Sequence, residues 1–90
     1  MIIITEDNNI VNFDNVHTIW AAGEQHAVEI IANMHDEQPI LYTFEPNNKE
    51  SWKMAYALID DIAACYARNA KVIRLFDRCV GIGSDEKKEG

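Results

Sequence analysis

One segment of this chain, residues 47–70, carries a helical repeat, and the apolar runs before it are too short and too evenly broken to be helices. Trp52, Ala55, Ile59, Ile62 and Tyr66 recur at spacings of three and four, and Leu58 and Cys65 widen that stripe. Lys53, Ala57, Asp60, Ala64 and Arg68 fall on the other face. Six alanines between Ala55 and Ala70 favour helix and allow close packing. The ends are marked as well. Asn47 followed three residues later by Glu50 is a capping-box arrangement, Pro46 stops what precedes it, and Asn69 suits a left-handed C-cap. A helix with one apolar stripe has to be laid on a partner layer.

The preceding residues supply that layer. Residues 1–5 are β-branched and apolar, and Glu6, Asp7, Asn8 and Asn9 form a turn cluster. Residues 10–13 read as the return strand of a hairpin, broken or bulged by Asp14 and Asn15 and continuing extended over 16–22. Val16, Thr18 and Trp20 share one face there, opposite His17, Ile19 and Ala21. Residues 27–34 form a third strand, with Val28, Ile30, Ala32 and Met34 opposite Glu29, Ile31 and Asn33. Residues 39–44 form a fourth, placing Ile40, Tyr42 and Phe44 on one side, and Pro39 confines it to a start or an edge. Residues 72–76 are a short edge strand beside the bases Lys71, Arg74 and Arg78. The expected fold is α+β: an antiparallel four-stranded β-meander, one long amphipathic helix, then a short C-terminal strand. Residues 1–80 make a single domain and residues 81–90 a disordered tail.

Charge is divided unevenly. The first basic residue is Lys49, and before it stand Glu6, Asp7, Asp14, Glu24, Glu29, Asp36, Glu37 and Glu45. The chain as a whole carries −7. Phosphate binding needs Lys and Arg laid on one surface, so this pattern argues against nucleic acid. It favours a cationic or self-complementary partner. No apolar run approaches the roughly 20 residues of a membrane span, and the polar face of the helix is not basic enough to lie on a membrane. The two cysteines, Cys65 in the helix and Cys79 after the last strand, set no disulfide framework. Free thiols with no targeting segment suggest the cytoplasm.

Candidate chemistry is thin. His17, His26 and His35 are nine residues apart, and His26 and His35 lie at opposite ends of one strand, roughly 30 Å at the usual rise. Those two cannot share one ion within a subunit, so no metal is expected. Among carboxylates these histidines would respond to mild acid. Asp60 and Asp61 point about 100° apart on a helix, Cys65 has no nearby base, and no helix follows Gly81-Ile82-Gly83. No catalytic residue and no cofactor is assigned.

Ile2-Ile3-Ile4-Thr5, then Asn9-Ile10-Val11-Asn12-Phe13-Asp14-Asn15-Val16, resembles a family of small uncharacterised β-meander-plus-helix proteins of Gram-positive bacteria and their phages. The distinctive string is Asn12 to Val16; the resemblance implies fold and origin and implies no activity. Four strands and then a helix also looks like the transcriptional-coactivator single-stranded DNA-binding fold. This chain departs from it in having no Lys or Arg in the sheet half, where single-strand binding needs a positive groove.

One helix cannot cover both faces of a four-stranded sheet, yet both faces carry large apolar groups: Ile19 opposite Trp20, and Ile31 opposite Ile30. The expected function is that of a small, acidic, non-enzymatic, homo-oligomeric interaction protein, with Trp20, Ile19, Ile31, Tyr56, Arg74 and Arg78 as candidate interface residues. Two alternatives remain: a nucleic-acid mimic occupying the groove of a cationic protein, and an enzyme or enzyme subunit using acids with His17, His26 or His35.

Overall fold

The computed structural model describes residues 1–75. Cys79, Arg78 and the tail expected at 81–90 lie outside the described residues. The elements are β1 (Ile2–Ile4), β2 (Ile10–Asn12), a 3-10 turn (Phe13–Asn15), β3 (Val16–Gly23), β4 (Val28–Met34), β5 (Ile40–Phe44), α1 (Lys49–Ala67) and β6 (Val72–Arg74). The class is α+β. The strands form two three-stranded sheets, ordered β2-β1-β6 and β3-β4-β5.

The four-stranded meander is therefore corrected, and the cause is local. The Asn12 side chain accepts the backbone N–H of Asp14 at 3.0 Å, which curls Phe13–Asn15 into a 3-10 turn. What alternation reads as one bulged strand becomes two strands in different sheets. β6 lies at a sheet edge, as expected, but its neighbour is β1: the two pair in parallel, with Ile3 opposite Ile73. A parallel pair needs a long crossover, and α1 lies within it.

Both sheets and the helix share one core. Val28, Ile30 and Ala32 alternate inward on β4, Ile3, Val11 and Ile73 come from the first sheet, and Ala55, Leu58, Ile62 and Cys65 come from α1. Each fully buried Ile or Leu contributes on the order of 1.5–3 kcal/mol. The helix is rotated slightly from its expected stripe. Leu58 and Cys65 sit at the centre of the contact, Trp52 and Ile59 are half-buried at its margin, and Tyr66 is 54% exposed with its ring 5.2 Å from that of Phe13. Cys65 is buried, packed rather than presented, and its Sγ accepts from Arg68 at 3.7 Å.

The N-cap of α1 is Asn48 instead of Asn47. Asn48 Oδ1 accepts the N–H of Ser51 at 2.9 Å. Asn47 is engaged elsewhere: its Nδ2 donates to the Glu24 carbonyl at 2.6 Å and its Oδ1 accepts from Trp52 Nε1 at 2.9 Å. This clamp ties the β3–β4 turn to the head of the helix. The indole of Trp52 lies against Gly23, where an added Cβ would meet it at 2.8 Å. At the other end Asn69 adopts φ 61°, and the N–H of Ala70 bonds the Cys65 carbonyl at 3.0 Å, closing the helix as a left-handed cap does.

The β1–β2 turn is held by Thr5, whose Oγ1 accepts the N–H of Asn9 at 3.0 Å, with Asn8 at φ 68°. That turn reaches the second sheet. Glu6 donates its N–H to the Leu41 carbonyl at 3.1 Å and accepts the N–H of Thr43 on Oε1 at 2.9 Å.

Candidate interaction surface

On β3 the side chains of Thr18, Trp20 and Ala22 share the face turned away from the core, because Ile19 and Ala21 pair with the buried Ala32 and Ile30. Trp20 pairs with Ile31 on β4, and Ile31 pairs with Ile40 on β5. Paired side chains lie on the same face, so Trp20, Ile31 and Ile40 form one apolar row across all three strands. Trp20 is 36% and Ile40 45% exposed.

The row depends on an irregularity. Between the pairs Ile30–Tyr42 and Ile31–Ile40, β5 holds one extra residue, Leu41, which is fully buried. Simple alternation would put Ile40, Tyr42 and Phe44 on one side. The bulge leaves Tyr42 and Phe44 inward, their rings 4.7 Å apart, and sends Ile40 outward. The row is bordered on one side by Thr18, Asn33 and Gln38, the last two joined at 3.4 Å, and on the other by Ala22, Glu29 and Thr43.

Of the acids of the first half, Glu29 alone stands on this face, at the border of the row. Glu29 is the one acid within a strand; Asp14, Asp36 and Glu37 stand at one end of the second sheet, Glu24 and Glu45 at the other, and Glu6 and Asp7 in the β1–β2 turn.

Of the residues singled out by sequence, Trp20 and Ile31 come together in the row. Ile19 lies on the opposite face of β3, against the core. Tyr56 is 56% exposed on α1, its ring 5.8 Å from Trp52, and Arg74 is exposed on β6 opposite Ile4. Arg78 is outside the described residues. Ile40 belongs to the surface and was hidden by the bulge. A second apolar area lies on the outward face of the first sheet, where Ile10 and Val72 are 71% and 54% exposed beside Ile4 and Ile2.

Antiparallel pairing also gathers two of the three histidines. His17 at the start of β3 and His35 just past β4 line an open cleft of ≈ 520 Å³ with Asp14, Asp36 and Glu37. His26 is at the far end of the same sheet. His35 Nε2 stands 3.6 Å from Asp36 Oδ1, but these side chains are 90% and 89% exposed and face solvent rather than an enclosed volume. Among the described residues no group of three or more His, Cys, Asp or Glu is placed to hold a metal ion. No described helix is long and apolar enough to cross a membrane.

Comparison with protein-family models, with curated proteins and with solved structures gives no match.

Proposed function

We propose that this chain is a small, non-enzymatic interaction protein that assembles with copies of itself, and that the outer face of the β3–β4–β5 sheet is a contact surface. The observation that carries the proposal is the in-register row Trp20–Ile31–Ile40. Scattered exposed apolar side chains are ordinary on a protein surface, but a contiguous row centred on a sheet marks a contact. Tryptophan is among the residues most enriched where contacts carry binding energy. The neutral border of Thr18, Asn33 and Gln38 supplies hydrogen-bonding groups without charge, and keeps a −7 chain from repelling its copy at that point.

Light scattering after gel filtration, at tens of micromolar protein, tests this; micromolar affinity corresponds to about 8 kcal/mol. The wild-type chain is expected at twice the monomer mass or more. Trp20→Glu and Ile40→Glu are expected to lower that mass while leaving helical circular dichroism intact. A wild-type chain that stays monomeric overturns the proposal.

A further inference from the structure

The second sheet has two edge strands, β3 and β5, and the structure treats them differently. The β5 edge is occupied, because Glu6 offers it a donor and an acceptor in the places where a neighbouring strand would. Among the described residues, no backbone or side-chain hydrogen bond reaches the outward edge of β3 between Thr18 and Ala22. β3 is also the longest strand, at eight residues.

Exposed edges are usually protected by Lys, Pro, an inward charge or a bulge. From Thr18 to Gly23 β3 has no charged residue and no proline, and its one register shift lies before Thr18. β3 also carries no acid in a chain of net charge −7, and the one acid within the second sheet is Glu29 on β4, opposite Ala22, so a second copy could approach along the Thr18–Trp20 part of this edge.

We propose that β3 pairs antiparallel with β3 of a second copy, joining two three-stranded sheets into one of six strands. The inference rests on the self-assembly reading above and adds a second contact to it. A two-fold axis normal to the sheet keeps core faces on one side and outer faces on the other. Side chains directly opposite in an antiparallel pair share a face, so Trp20 must lie beside Trp20, Thr18 or Ala22 of the second copy. The two apolar rows then run on into each other, over roughly 24 Å at the usual strand spacing. Edge pairing and face packing use different surfaces, so together they build four copies, and the face contact alone builds two.

The experiment separates the two contacts. Ile40→Glu is aimed at the face and leaves the β3 edge untouched. A mixed labelled and unlabelled sample of this variant is examined by isotope-filtered NMR, with amide exchange measured across β3. Expected are a dimer, intermolecular Hα–Hα contacts within residues 18–22, and slowing of alternate β3 amides by about tenfold on association. A monomeric Ile40→Glu chain, or a dimer without those Hα–Hα contacts, overturns the edge pairing and leaves the face reading standing. A monomeric wild type overturns both. If Ile40→Glu does not fold, the same filtered spectrum of the wild-type assembly decides: intermolecular β3 Hα–Hα contacts support the pairing, and their absence overturns it.

Discussion

The Glu6 carboxylate accepts the backbone N–H of Thr43 at 2.9 Å, while the backbone N–H of Glu6 donates to the Leu41 carbonyl at 3.1 Å. One residue of the β1–β2 turn thereby finishes the edge of β5 and fastens the first sheet to the second. A hydrogen bond of this kind is worth about 1 kcal/mol net, and more when the acceptor is charged. Glu6→Ala is expected to lower the melting temperature by roughly 4–8 °C for each kcal/mol lost, and to speed amide exchange at Thr43. Glu6→Gln keeps an acceptor and should recover most of the loss. Equal melting temperatures for wild type and Glu6→Ala would show that the contact holds nothing.

Gly23 is required by Trp52. An alanine Cβ there would stand 2.8 Å from the indole, and that ring is pinned by its bond to Asn47. Gly23→Ala is expected to destabilise the fold by about 1–3 kcal/mol, the usual cost of overpacking. Because the neighbour responsible is named, the cost should shrink when Trp52→Phe is added. A double-mutant cycle on denaturant midpoints checks this, and strict additivity would contradict it.

Asn48→Ala removes the side chain that receives the Ser51 N–H and is expected to cost about 1 kcal/mol, whereas Asn48→Ser or Asn48→Asp should be close to neutral. Asn47→Ala tests a different bond. It frees the indole and the Glu24 carbonyl, so it should alter tryptophan fluorescence, which Asn48→Ala should leave nearly unchanged.

No nucleic-acid complex is expected at physiological salt. Lys49 and Lys53 lie at the start of α1, while Arg68 and Lys71 lie beyond its end. A helix of nineteen residues spans roughly 28 Å, so these two pairs do not form one surface. Fluorescence polarisation with single- and double-stranded oligonucleotides should show nothing tighter than about 100 μM, the weak end of non-specific binding. A micromolar complex weakened by Arg74→Glu would refute this.

Local chemistry was readable from the sequence where a single residue type decides the geometry. Asn8 and Asn69 take left-handed backbone, and strand parity alone sets Trp20 opposite Ile19 and Ile31 opposite Ile30, while the register that brings Trp20 beside Ile31 comes from the structure. The readings that moved did so where two local outcomes compete. Asn47 and Asn48 can both cap a helix, and the choice is made by Trp52 and the Glu24 carbonyl, which engage Asn47 from outside the helix backbone. Ile40, Leu41 and Tyr42 are all apolar, so no polar residue marks the register and the bulge leaves no trace in the pattern. The Asn12 side chain separates a bulged strand from a 3-10 turn, and alternation cannot see a hydrogen bond. The pairing of β1 with β6 has no local signature at all.

That last pairing also sets an order of events during synthesis. Ile3 is held between Val11 and Ile73, one neighbour reached by a tight turn and the other only after the intervening sheet and helix have been made. A nascent chain emerging from the ribosome can form the β1–β2 hairpin early, but must leave one side of β1 unpaired until β6 arrives. Contacts of such long sequence separation close late and slowly. For that interval the three isoleucines of β1 are an open adhesive edge, so whatever delays the arrival of β6 should raise misassembly.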